Sequence, residues 1–286
     1  MSALQPASDF DIMPMRSDDL ASAQSLSHAV GWPHRLEDWQ FVFTLGQGVS
    51  AYSRNRLVGT AMWWPYDGRQ ARLGMVIVDP ALQRAGLGRA LMHAVLDRSP
   101  APSIVLNATA AGEPLYGRLG FTPIGAIVQH QGASFTSPIV PLAPGERIRP
   151  LGRNDAEPLI ALDAAATGAR RDSLIKALIA QGDAVLLDRN GETAGFAFYR
   201  RFGRGHVIGP VIAREQDSAK ALIAHWIGAN AGMFLRIDVR DGWGLSGWLD
   251  EMGLARVSQV TTMVRGEPLP PSHTVHTFAV ANQALG

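Results

Sequence analysis

The chain repeats itself. Ile12-Met13-Pro14-Met15-Arg16-Ser17-Asp18-Asp19 lines up with Ile148-Arg149-Pro150-Leu151-Gly152-Arg153-Asn154-Asp155, and Leu57 to Met62 with Glu192 to Ala197. Gly74 to Ile77 lines up with Gly205 to Ile208, Ser103 to Ala108 with Phe234 to Val239, and Arg118 to Phe121 with Glu251 to Leu254. The pairs come in order, at an offset that stays between 131 and 136 residues. A repeat of that length is a whole supersecondary plan used twice. Each copy reads strand, two helices, two or three strands, helix, strand, helix, strand. In the first copy Leu20, Ala23, Leu26 and Ala29 or Val30 give one helical stripe, and Leu36, Trp39 and Phe43 a second. Strands are predicted at about 49–53 and 57–64. The order is mixed α/β.

Composition narrows the chemistry. Of 286 residues, 47% are hydrophobic, enough for full cores, and 26 basic side chains against 25 acidic leave a net charge of +1. That balance creates no field for nucleic acid or an anionic membrane, so neither is expected as a partner. No run of 18 apolar residues and no basic-then-apolar leader is present, which predicts a soluble, cytoplasmic protein. The absence of cysteine removes disulfides, thiolate zinc sites and an acyl-cysteine intermediate. No metal is expected.

Only the first copy carries a glycine turn. Gln83-Arg84-Ala85-Gly86-Leu87-Gly88 lies between the apolar run Met75-Val76-Ile77-Val78 and a helical pattern at Leu87, Leu91, Ala94 and Val95. A strand-turn-helix of this kind aims backbone N–H groups outward at the positive end of a helix dipole, where phosphate binds. It is not a P-loop, since no Lys-Ser or Lys-Thr follows, and it lacks the third glycine of a dinucleotide fingerprint. An ordinary glycine-capped turn is the plain alternative. Gln-x-x-Gly-x-Gly after Val78-Asp79-Pro80 resembles motif A of the GNAT (Gcn5-related) N-acetyltransferases. Leu115-Tyr116-Gly117-Arg118-Leu119-Gly120-Phe121, following the short strand Ser103 to Asn107, resembles motif B, with Gly120 placed to cap a short helix.

The resemblance covers residues 10–140 well and 147–265 only as fold. It implies an α/β (α+β) architecture: two tandem GNAT-like units, each a mixed, mostly antiparallel sheet flanked by helices. The domains expected are 1–141, binding acetyl-CoA, and 147–266, without a pyrophosphate loop. Residues 141–147 are the linker, Gly266 to Pro271 a second break, and 267–286 a tail that can add an edge strand. In the second copy Arg214-Glu215-Gln216-Asp217 replaces the glycine turn and its acids would repel phosphate. One CoA per chain follows, and the second copy serves as a wall, a substrate-side domain or a built-in pseudo-dimer partner. The chain is then a monomer with an internal pseudo-dimer, or a homodimer.

What the family implies for chemistry is direct transfer of an acetyl group from acetyl-CoA to a neutral amine. The strand residues Val76, Ile77 and Val78 would supply backbone donors and acceptors, with the N–H of Val76 or Val78 polarising the thioester carbonyl. Gln83, Arg84, Ala85, Gly86, Leu87, Gly88 and Arg89 would hold the pyrophosphate. Thr109-Ala110-Ala111-Gly112 departs from the asparagine-containing turn that often contacts pantetheine in the family. Gly112 is still a candidate cofactor contact, and Asn107, earlier at the strand end, would orient cofactor or water or cap the following loop. Motif B makes Tyr116 the candidate general acid. A general base is less legible, because Arg72-Leu73-Gly74-Met75-Val76 has no carboxylate where many relatives carry glutamate; Glu113, His34 and Asp238 are candidates. The acceptor loop is Gly31 to Trp39, so Trp32, His34 and Trp63 are expected at the substrate, with Trp39 and Trp64 as further cleft aromatics or as core. Arg170-Arg171-Asp172 is either an exposed helix start or a carboxylate-binding pair. The expected acceptor is a small amine or amino acid derivative. A non-catalytic acyl-CoA sensor and a protein or peptide N-acetyltransferase remain alternatives.

Overall fold

In the computed structural model, β1 (Asp11–Pro14) runs antiparallel to β2 (Gln47–Ser53), from Asp11 opposite Tyr52 to Pro14 opposite Val49. β2 pairs with β3 (Arg56–Tyr66) through a two-residue turn, Arg54-Asn55, with φ of 48° and 64°. Two positive φ values give the type I′ geometry whose twist matches antiparallel strands. β4 (Gln70–Val78) completes the order β1-β2-β3-β4. The structure describes residues 10–134, 138–270 and 272–286. Pro271 of the proline-rich break, and residues 1–9 and 135–137 of the first sequence domain, lie outside the described residues. The described chain forms two compact units, one of residues up to 64 together with 73–100, the other of 65–72 together with 101–286.

In the first unit α1 (Leu20–Ala29) and α2 (Leu36–Leu45) join β1 to β2, and α3 (Leu87–Leu96) follows β4. Leu20, Ala23 and Leu26 of α1 are buried, as their spacing predicts. α2 buries Trp39, Phe41 and Val42, and leaves Phe43 half-buried. Trp39 and Trp64 are fully enclosed, their indole N–H groups donating to Ser27 Oγ (3.3 Å) and the Val42 carbonyl (2.8 Å). They are core, not cleft walls. Each such burial is worth about 1.5–3 kcal/mol. Asp19 ties the start of α1 to β2. It accepts from the Arg16 N–H (2.9 Å), Ser50 Oγ (2.8 Å) and the Tyr52 hydroxyl.

The second unit opens with β5 (Ser103–Ala108), α4 (Glu113–Arg118) and β6 (Thr122–Ala133), which end the first repeat. The second repeat follows as β7 (Glu146–Pro150), α5 (Ala156–Thr167), α6 (Asp172–Gln181), β8 (Asp183–Arg189), β9 (Glu192–Phe202) and β10 (Gly205–Ala213). It continues as α7 (Gln216–Ala229), β11 (Phe234–Arg240), α8 (Ser246–Glu251) and β12 (Ala255–Arg265), and the tail adds β13 (His276–Ala279). Leu222, Ile223 and Ile227 of α7 pack on the β8–β11 face and form its core.

The strand order of this unit is β5-β12-β6-β11-β13-β10-β9-β8-β7. Two of its neighbours are exchanged. β6 closes the first repeat in sequence, yet pairs with β11 of the second, from Phe234 opposite Ala133 to Arg240 opposite Ile127. β12 closes the second repeat, yet pairs with β5 of the first, from Thr261 opposite Ala108 to Arg265 opposite Ile104. Each repeat therefore lends its last strand to a strand of the other, β6 to β11 and β12 to β5. The tail is a strand, but an interior one, set between β11 and β10.

Candidate active site

The glycine turn is built from its first residue. Asp79 follows β4, donates its N–H to the Val58 carbonyl (2.8 Å), accepts from the Ala81 N–H (2.9 Å) and pairs with Arg56 (2.8 Å). This fixes the 3₁₀ turn Pro80–Leu82. Arg84 (φ 68°) and Gly86 (φ 85°) then adopt left-handed backbone, and Gly86 becomes the N-cap of α3. The Ala90 N–H reaches the Gly86 carbonyl at 3.1 Å. The N–H groups of Leu87, Gly88 and Arg89 come before the first helical acceptor and have no partner inside the helix. Gln83, Arg84, Ala85, Gly86 and Arg89 are exposed, Gly88 is half-buried and Leu87 is anchored in the core. Among the described residues Arg84 and Arg89 form no ion pair. α3 approaches β3 closely because Gly59 has no side chain: a Cβ there would lie 2.9 Å from Leu91 Cδ1 and 3.2 Å from the Ile77 carbonyl.

β4 carries a defect just before this turn. Met75 has φ 50°, uncommon for a side chain of this size. Its carbonyl is held by Thr60 Oγ1 at 2.8 Å. Left-handed backbone at such a residue costs about 1–2 kcal/mol and tends to mark functional segments. Beyond it Val76 and Val78 are half-buried and Ile77 is buried. Trp32 and His34 sit together on the α1–α2 loop, ring centroids 5.8 Å apart, edge to face, and His34 lies 6.4 Å from Trp39. Trp63 is buried on β3.

Asn107, Gly112 and Tyr116 belong to the second unit. Tyr116 lies on α4, buried, its ring edge-on to Phe121 at 6.1 Å. Gly120 takes φ 83° behind it, and the Phe121 N–H returns to the Tyr116 carbonyl (3.1 Å). Gly112 leaves room for the ring, since a Cβ there would lie 2.9 Å from Tyr116 Cε2. Burial raises the Tyr116 phenol to about 12, so it stays protonated at neutral pH. Asn107 is engaged on both sides of its amide, donating to the Gln283 carbonyl (2.7 Å) and accepting from Thr262 Oγ1 (2.8 Å). Of the base candidates, Glu113 accepts from Thr261 Oγ1 (3.1 Å) and Asp238 is buried against Arg236 (2.9 Å). Arg170 is exposed and paired with Asp172 and Glu157, whereas Arg171 is buried in a bidentate pair with Asp163 (2.6 and 2.8 Å). Among the described residues no group of three or more histidines and carboxylates is placed to hold a metal, and no helix is long and apolar enough to cross a membrane.

Comparison with known proteins decides the family. Two models described as acetyltransferase (GNAT) domains match residues 43–137 and 159–279. An uncharacterized N-acetyltransferase of Bacillus subtilis, YitH, is 30% identical over 223 residues, 77% of this chain and 78% of that one. The chain belongs to the GNAT acetyltransferases. Its fold is shared with a candidate acetyltransferase from Pyrococcus horikoshii (TM-score 0.81, 18% identity, 100% of this chain and 99% of that one). It is shared too with a GCN5-related N-acetyltransferase from Sphaerobacter thermophilus (0.66, 16%, 94% and 98%). A tandem GNAT protein from the clavulanic acid biosynthesis pathway also matches (0.62, 13%, 92% and 99%).

The second GNAT copy differs where the first has its turn. Glu215 stands at the N-cap position of α7 without a side-chain capping bond, Asp217 lies in its first turn, and Gln216 packs against Gly244. β10 and β11 pair in parallel from His206 opposite Leu235 to Ile208 opposite Ile237. Beyond that point β13 lies between them, with Val211 opposite Ala279 on one side and Val239 opposite Ala279 on the other. Trp243 covers it, 4.6 Å from the His276 ring and 5.2 Å from Phe278. The wedge between these strands is filled by the protein's own tail. Sequence reading missed that, and it missed Arg72 and Arg240. The available signal was a charged residue inside an otherwise apolar strand, Ala71-Arg72-Leu73, and another at the end of Phe234 to Val239.

Proposed function

We propose that this chain is an acetyl-CoA-dependent N-acetyltransferase that loads one cofactor, on its first repeat, and acetylates a small amine. The observation that carries the reading is the exposed turn at the start of α3. Gly86 is left-handed, three helical N–H groups point out of the chain's own bonding, and Arg84 and Arg89 stand beside them without carboxylate partners among the described residues. This donor set suits a diphosphate. The second copy has acids at the matching place and a strand in its wedge, which supports a single cofactor per chain.

Acetyl-CoA, when bound, supplies an acyl group activated as a thioester, whose carbon takes the amine nitrogen as the C–S bond breaks. The chain's part is to position, polarise and manage protons. The segment after the left-handed Met75 presents main-chain groups of Val76 to Val78, whose N–H groups suit a developing carbonyl oxyanion. Tyr116, a phenol neutral at the working pH, suits donation of its proton to the departing sulfur. Trp32 and His34 form an aromatic and polar edge suited to an amine. Glu113, three residues before Tyr116 on α4, suits a proton-accepting role directly or through water.

CoA release with a panel of amines tests the reading. Turnover that falls sharply in Tyr116→Phe supports it. Tight CoA binding without turnover across the panel overturns it in favour of a sensor. Turnover confined to peptides overturns the small-amine assignment.

A further inference from the structure

Two arginines of the second unit, Arg72 buried and Arg240 half-buried, are unpaired among the described residues. Arg72, on β4, is 8% exposed; Arg240, at the end of β11, is partly buried; and the Nε of each is fully enclosed without a hydrogen-bond partner. Neither guanidinium forms a hydrogen bond or ion pair with the described residues. Thr277 Oγ1 on β13 is likewise enclosed and unpaired. All three residues line one cavity of about 380 Å³, with Tyr66, Ile127, Trp243 and Gly286 among its walls; Gly286 packs on Arg72, where a Cβ would lie 2.9 Å from Cζ, and its oxygen is taken by Arg171. Neighbouring arginines are treated differently: Arg171 holds Asp163 and the main-chain oxygens of Leu285 and Gly286, and Arg236 holds Asp238. Asp241 reaches the same cavity, but its carboxylate is turned to the Gly242 N–H at 3.0 Å.

An enclosed cation without a counter-charge is costly, and native proteins keep one where a ligand supplies the charge. Two planar forks beside a hydroxyl match a carboxylate, which each guanidinium can grip through parallel N–H donors. The volume suits a ligand the size of an amino acid, and the tyrosine, isoleucine and tryptophan walls favour one with an apolar part.

We infer that this cavity binds the carboxylate of the acceptor, and that the substrate is an amine bearing a carboxylate rather than a simple amine or polyamine. The word acceptor rests on the N-acetyltransferase reading above; the anion site does not. Burial and the neighbouring Arg171 also depress both guanidinium pKa values, that of Arg72 to about 10, as expected of cations awaiting a counter-ion.

The test uses the full chain. The twenty L-amino acids and their primary amides are titrated by calorimetry and thermal shift, with inorganic phosphate as a control anion, and CoA release is read in parallel. At least one free amino acid should bind, with its amide at least tenfold weaker. Arg72→Met and Arg240→Met should each weaken that ligand at least tenfold while the melting temperature holds or rises, because an uncompensated charge is removed. An arginine with a merely structural role would lower it. Equal binding of acid and amide, no binding by any amino acid, tighter binding of phosphate than of every carboxylate, or wild-type binding by both variants would overturn the inference. Arginine-dependent binding without acetylation of any amine would leave the anion site standing and remove the acetyltransferase reading instead.

Discussion

Thr261 of β12 sits opposite Ala108 of β5, although one belongs to the last strand of the second repeat and the other to the first repeat. With Phe234 opposite Ala133 it makes the two halves mutually dependent. Residues 1–141 expressed alone would present β5 and β6 with unpaired edges, an invitation to aggregate or to exchange strands with a second copy. The fragment is expected to be insoluble or oligomeric, and coexpression with 142–286 to restore a soluble complex. Size-exclusion chromatography and circular dichroism decide it; a monomeric 1–141 melting like the full chain contradicts the exchange.

Tyr116 is buried, which raises its phenol from the ordinary value near 10 to about 12. Its acidic form is present below that value and lost as pH rises through it. The rate should therefore climb with pH as the amine acceptor loses its proton, with no falling limb from Tyr116 below about pH 11. Tyr116→Phe is expected to lower kcat by about 10²–10⁴, with little change in the KM for acetyl-CoA. A pH–rate profile with a Tyr116-dependent fall near pH 8 would contradict this assignment.

Gly86 adopts φ 85° with nothing within 4 Å of where a Cβ would lie. In Gly86→Ala the penalty is then conformational, about 1–2 kcal/mol in chemical denaturation. A methyl group would also stand where a diphosphate approaches the backbone. The KM for acetyl-CoA should rise at least tenfold while kcat stays within about threefold. A variant that loses stability and keeps its KM would place the cofactor elsewhere.

Arg171 and Asp163 form a buried, bidentate ion pair, and Arg171 also holds the Leu285 and Gly286 oxygens. Breaking it strands a charge and should cost about 3–5 kcal/mol in Arg171→Ala. Arg170→Ala, one residue away and exposed, should leave the unfolding midpoint nearly unchanged. Equal effects of the two would contradict the burial that separates them.

Much of this was legible beforehand, and the illegible part has physical causes. The glycine turn, the strand before it and the tyrosine helix are local, since backbone geometry and short-range spacing specify them, and Gly86 and Gly120 take the left-handed φ their positions required. The stripe on α2 misled: Phe41 and Val42 are buried where Phe43 was expected, because the helix meets neighbours on a wider face than one stripe. Trp39 and Trp64 read as cleft or as core, and their full burial with satisfied indole N–H groups makes them core. The exchange of β6 with β12 leaves no mark in either strand, because partners far apart in sequence are selected only when the whole sheet assembles. The same holds for Arg72 and Arg240, which come together only once β4 and β11 reach one cavity.

The most direct measurement is a calorimetric titration of acetyl-CoA into the full chain. One equivalent should bind per chain, and Gly86→Val should weaken it at least tenfold. Absence of binding, two equivalents per chain, or full binding by Gly86→Val would contradict cofactor capture at the first repeat's turn.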